Sequence, residues 1–275
     1  MNTNVRDVIL FLEELAPIGL AEDWDNVGLL LGDPADSVRA VMTCLTLTPD
    51  VAKEAIDRQA GMVIAHHPIL FRSIKRLTAE TPEGAMLLEL IRNGVAVYSP
   101  HTSFDNAAGG INQWLAERLE LTSVTPLRPR ENASSGGETA ASLGAGRFGD
   151  LESPQEWPDF KRTLRQKLKL ANFQAVPPEK AAVERVGIAC GAAAEFLKDA
   201  RRQGCELLIT GEARFHACLE ARSLGIGMVL LGHYASERPA LEMLAGRLAE
   251  RFPDLTVWAS AEETDPITWE IGDGV

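Results

Sequence analysis

Apolar and polar positions along this chain follow two periods. Short, mostly apolar runs recur at Val41–Leu45, Met62–Ala65, Val95–Tyr98, Val183–Ala189, Leu207–Thr210 and Met228–Leu231. Runs of that length suit strands covered on both faces. Between them the spacing turns helical. Val5, Val8, Ile9, Leu12 and Leu15 fall on one face, as do Phe160, Leu164 and Leu168. Thr48-Pro49-Asp50 and Thr81-Pro82-Glu83 each give a cap, a first-turn proline and an early acid, so helices are predicted to about Gln59 and to Gly94. Further helices are predicted over Ile111–Leu119, Ala192–Gln203, through Ala217 and Ala221, and over Pro239–Phe252. Pro17–Asn26 reads as a loop before the apolar run Val27–Leu31. Glu131–Gly149, rich in Gly, Ser and Ala, reads as a linker or long loop. The tail Leu255–Ile271 is expected to add one or two strands. Alternating strands and helices at this spacing predict mostly parallel α/β sheets.

The repeating order reflects an internal duplication. Shifted by 145 positions, Arg39–His67 lies on Glu184–Glu212 without a gap, matching Val41 to Val186, Lys53 to Lys198, Ala55 to Ala200, Gln59 to Gln203 and Ile64 to Ile209. VAVYSPHTSFD, ending at Asp105, resembles GMVLLGHYASE, ending at Glu237. Both carry a strand into a histidine, three residues and an acid. The expected architecture is therefore two similar α/β units, 1–124 and 125–275, with the C-terminal strands free to pack back on the first. Equivalent strand ends would meet in a cleft between the units.

Bulk properties narrow the function. At 275 residues, 45% hydrophobic and 24% charged, the chain has an ordinary globular composition. No apolar run has the length of a membrane span, and no signal-peptide pattern opens the chain, so a cytoplasmic protein without membrane association is expected. A net charge of −12 argues against a nonspecific nucleic-acid binder. The scattered cysteines Cys44, Cys190, Cys205 and Cys218 support neither a disulfide framework nor a zinc–thiolate site.

The candidate chemistry lies in the histidines. MVIAHHP places His66 and His67 at the end of a buried run, and Pro68 forbids further pairing. His101 and His233 also follow strands, with Asp105 and Glu237 at matching positions. His216 opens a helix after Thr210-Gly211-Glu212. Imidazole and carboxylate without thiolate suit a divalent Zn, Fe, Mn, Co or Ni ion, and two such ions bridged by a carboxylate would use these residues economically. Gly109-Gly110 reads as a helix-start turn. GAGRFGD is only superficially a nucleotide fingerprint, and Asp23 and Asp25 beside Trp24 could reach the cleft but read by default as solvated loop acids.

WDNVGLLLGD (24–33), AHHP (65–68), HTSFDNAAGG (101–110), GAGRFGDL (144–151), TGEARFHACLEA (210–221) and GHYASE (232–237) together resemble the motifs of the NIF-three-like family. Its members are often labelled GTP cyclohydrolase I type 2 homologs. The resemblance implies the NIF-three-like fold, a ring-like homohexamer built as a trimer of dimers, and two metal ions. His66 and His67 would each bind a different ion, Asp105 joining His67, His233 joining His66, and Glu237 bridging. His101 and His216 would line the same cleft in supporting or proton-transfer roles. Longer members carry an inserted domain, for which this chain has no room; Glu212 stands where many relatives have Asp. The expected function is a metal-dependent hydrolase that uses a metal-bridging hydroxide on a small molecule, such as a nucleotide or phosphoester. The alternatives are a non-catalytic protein that buffers or delivers metal, or an interaction protein.

Overall fold

The computed structural model describes residues 3–130 and 143–270, and its contacts divide the chain into two compact units. Of the described residues, the first unit takes 3–111 and 238–263 with 130, 143 and 144. The second takes 112–129, 145–237 and 264–270. Part of the segment read as a linker, 131–142, lies outside the described residues, as does Ile271.

In the first unit, α1 (Val5–Leu15) buries Val5, Val8 and Leu12 and starts at a capping box in which Asn4 and Asp7 exchange backbone-to-side-chain bonds of 2.9 Å. Then follow β1 (Gly28–Leu31), β2 (Ala40–Cys44), α2 (Pro49–Asp57), β3 (Met62–Ala65), α3 (Pro82–Arg92), β4 (Ala96–Ser99) and α4 (His101–Asn106). Thr48 and Thr81 cap α2 and α3 through their side chains, each with proline in the first turn, as the sequence predicts. Every residue of β2, β3 and β4 is buried. At about 1.5–3 kcal/mol for each large apolar side chain removed from water, these strands anchor whatever is attached to their ends.

The second unit holds α5 (Ile111–Arg118) from Asn112 onward, β5 (Thr122–Thr125), β6 (Arg128–Pro129), β7 (Gly144–Ala145, from Ala145), β8 (Arg147–Glu156), α6 (Trp157–Leu168), β9 (Gln174–Val176), β10 (Ala182–Ala189), α7 (Leu197–Arg202), β11 (Leu207–Thr210), α8 (Phe215–Ser223) and β12 (Gly227–Leu230). Its sheet runs β5-β8-β10-β11-β12-β9. Only β10–β11 and β11–β12 are parallel; β8 and β9 flank them antiparallel, so the sheet is more mixed than predicted. Gly144–Ala145 and the start of β8 correct the linker reading for that stretch. Small residues there let the strand lie close to its neighbours: a Cβ on Gly149 would crowd the Thr122 carbonyl at 2.7 Å.

The long helix α9 (His233–Arg251) begins six residues before the predicted Pro239, which lies inside it, and the division between units falls within this helix. The chain then adds β13 (Thr256–Ala259) beside β2, giving the first unit the sheet order β1-β4-β3-β2-β13, parallel except at β1. The tail therefore contributes one strand among the described residues.

The two parallel cores share a register. Val41 faces Met62 in the first, and Val186 faces Leu207 in the second, each partner 21 positions on and each pair 145 positions from its counterpart. That agreement keeps the duplication plausible. The following connection differs: sixteen residues, 66–81, separate β3 from α3, whereas four, 211–214, separate β11 from α8. Among the described residues, no helix is long and apolar enough to cross a membrane.

Candidate metal centre

His66 and His67 leave β3 still tied to their neighbours. Their N–H groups donate to the Cys44 and Leu45 carbonyls, both at 2.9 Å, and Ser99 Oγ donates to the His66 carbonyl at 2.7 Å. The His66 side chain is fully buried, and the tilted His67 ring lies 5.3 Å away. His67 Nδ1 is 2.8 Å from Thr46 Oγ1. Glu263 accepts the Leu45 and Thr46 N–H groups and pairs with Arg238 at 2.7 Å, so the C-terminal segment braces the backbone under Thr46.

His101 opens α4 with a backbone φ of +24°, outside the comfortable region for a residue with a Cβ. It is held there by Asp25. That carboxylate takes His101 Nδ1 at 2.7 Å on one oxygen, and the Thr102 N–H at 3.1 Å and hydroxyl on the other. Asp25, read from the sequence as a solvated loop acid, instead has a fully buried side chain. Burial alone would raise its pKa, but the bonds from His101 and Thr102 outweigh burial and bring it down to about 2. Asp23 is exposed. One turn along α4, Asp105 Oδ1 lies 3.5 Å from His66 Nε2.

Ring nitrogens of His66, His67 and His101 lie within 4.8 Å of one another. Three imidazoles so gathered beside a carboxylate form a group that could hold a metal ion, and the donors are those that borderline divalent ions prefer.

In the second unit His233 opens α9, and Glu237 follows one turn later. His233 Nε2 lies 3.2 Å from Glu237 Oε2, and His233 Nδ1 lies 3.2 Å from Glu212 Oε1. The Glu237 carboxylate bonds the imidazole and, despite burial, holds its pKa up to about 9, with Glu212 adding to the effect. Glu237 itself is buried. Sequence reasoning missed the residue that makes room for it. Gly191, with φ of +65°, passes so close that a Cβ there would collide with Glu237 Oε1. The Gly191 N–H donates to Ser236 Oγ at 3.2 Å, and its carbonyl accepts from Gly211 at 2.8 Å and Glu212 at 3.0 Å. Only the shifted repeat, which sets Gly191 opposite Thr46, offered a signal. His216 is exposed in the first turn of α8, its ring 5.9 Å from that of Phe215.

The model of the Duf34/NIF3 (NGG1p interacting factor 3) family matches residues 3–266. A "GTP cyclohydrolase 1 type 2 homolog" of Clostridium acetobutylicum is 31% identical over 90% of this chain and 90% of its own length. A "Protein NIF3 homolog" of Schizosaccharomyces pombe is 33% identical over 90% of this chain and 92% of its own. The crystal structure of a Bacillus cereus protein related to NIF3 superposes with a TM-score of 0.87 at 21% identity, covering 98% of this chain and all of that one, a likeness of fold. With its buried strands ending in these histidines and its near-complete match, the chain belongs to the Duf34/NIF3 family.

Proposed function

We infer that this protein is a dinuclear metal-dependent hydrolase acting on a small molecule of the nucleotide or phosphoester class. The observation that carries the reading is the donor set: His66, His67 and His101 gathered after buried strands β3 and β4 with Asp105 beside His66, and the His233–Glu237 pair after β12, without a thiolate. In this reading His66, His67, Asp105, His233 and Glu237 would hold the two ions, with Glu237 kept in place by Gly191. Bound divalent ions supply Lewis-acid activation of water and of the electrophile. The protein's own groups do the rest. Asp25 fixes Nδ1 of His101, and His101 would carry the leaving-group proton. His216, at the start of α8, is a second carrier of protons. Thr46 orients the His67 ring from outside. The active form in this reading is the cytoplasmic homohexamer, a trimer of dimers.

The test has two arms. Elemental analysis of protein loaded with Zn, Mn, Fe, Co or Ni should find about two ions per chain, falling by at least half in His67→Ala and in Glu237→Gln. A hydrolysis screen over nucleotides, phosphoesters and amides should find a class that wild type turns over and Glu237→Gln does not. Equal, negligible turnover by both proteins, with metal retained, would favour the metal-buffering alternative. No retained metal under any loading condition ends the reading altogether.

A further inference from the structure

The connection that lengthens the first unit carries FRSIKRL (71–77), a basic stretch in an acidic chain. Three of five residues from 72 to 76 are cationic in a protein of net charge −12. Arg72, Lys75 and Arg76 form no ion pair among the described residues, whereas Arg58, Arg92, Arg128 and Arg185 each hold a carboxylate. The same segment walls a cavity of about 540 Å³ that opens directly after His67, at Pro68. That volume lies within the range of small-molecule sites. Phe71, 52% exposed, forms one wall and meets Trp24, 63% exposed, edge to face at 6.0 Å. Trp24 in turn meets the His101 ring at 6.0 Å. Large aromatic rings left this bare beside a histidine cluster are poorly placed for stability and well placed to stack a flat ligand.

We propose that the 71–77 loop and Trp24 form the recognition surface for a phosphorylated aromatic heterocycle: Trp24 and Phe71 pack its ring next to His101, and Arg72, Lys75 and Arg76 bind its phosphates in the adjoining cavity. This rests on reading the histidine cluster as the reaction centre, and it adds the ligand's two ends to that reading. Guanidinium and ammonium groups without acidic partners supply charge-assisted bonds to phosphate oxygens. The longer β3–α3 connection gives the first unit this surface, and the four-residue counterpart in the second unit has no room for one.

Calorimetry on the chelator-treated full chain tests the proposal independently of any metal, with GTP, ATP, guanosine and inorganic triphosphate as probes. A nucleotide should bind at least tenfold more tightly than guanosine or triphosphate. Replacing Arg72, Lys75 and Arg76 together by Ala should weaken nucleotide and triphosphate at least tenfold and flatten the salt dependence. Trp24→Ala should weaken the nucleotide severalfold and leave triphosphate within twofold. All these positions are exposed, and circular dichroism of each variant should match wild type. Unchanged nucleotide affinity in the triple variant overturns the proposal. So does a change in oligomeric mass without a change in binding, which would assign the loop to contact with another copy of the chain. Metal analysis of wild type reads the hydrolase reading separately.

Discussion

Gly191 shows how one missing methyl group sets a carboxylate. Its positive φ and its approach to Glu237 leave no space for a side chain, so Gly191→Ala has to move either the backbone or the carboxylate. The expected loss is about 1–3 kcal/mol of stability, read as a lower urea midpoint. A drop in bound metal should accompany it, and a stable variant with full metal content would show that Glu237 is not a ligand. Asp25 acts similarly on His101. With Asn at this position the charged acceptor of Nδ1 is lost. Nitrogen NMR of His101 in Asp25→Asn should show a changed tautomer population, and unfolding should become easier by about 1–3 kcal/mol. An unaltered His101 spectrum would remove Asp25 from any positioning role. Gly191 escaped sequence reasoning, and Asp25 reads by default as solvated, because each acts on a group far along the chain.

At the scale of elements, strand β13 depends on a buried acid of α2. Glu54 accepts from Trp258 Nε1 at 3.1 Å, Ser260 Oγ at 2.6 Å and the Ala261 and Glu262 N–H groups, and pairs with Arg58 at 3.0 Å. Burial would raise its pKa, but these donors outweigh burial and the pKa lies below its ordinary value. A depressed carboxylate pKa contributes stability that is fully present above the ordinary value and fades as pH falls through the folded one. Glu54→Gln should therefore cost about 1–3 kcal/mol near neutral pH, with a smaller deficit below pH 4. Urea midpoints of both proteins at neutral and acid pH check the sign; a deficit that grows toward acid would refute it. The elements themselves were largely legible, since strands β2, β3, β4, β11 and β12 are short apolar runs and α2 and α3 announce their caps. Strand β8 and the start of α9 were not. A Gly-rich segment reads as a linker until a neighbouring strand takes up its hydrogen bonds, and Pro239 marks a first turn only when nothing helical precedes it.

For the whole molecule, metal held by these side chains would couple binding to overall stability. Loading with the tightest-bound ion should raise the melting temperature, and chelation should reverse it, by an amount that grows with the logarithm of free metal. Calorimetric scans at several metal concentrations read this; a melting temperature indifferent to metal would leave the donor sets as separate, non-binding groups. Sedimentation of the same samples tests the expected hexamer.

By itself the sequence determined the alternation of strand and helix, the family, and the histidines and acids as the residues to watch, because burial, caps and breakers are local and leave periodic marks. It could not determine which backbone makes room for Glu237 or which carboxylate steers His101. Those depend on directions and distances between segments remote in the chain, and a one-dimensional pattern records spacing but neither direction nor approach.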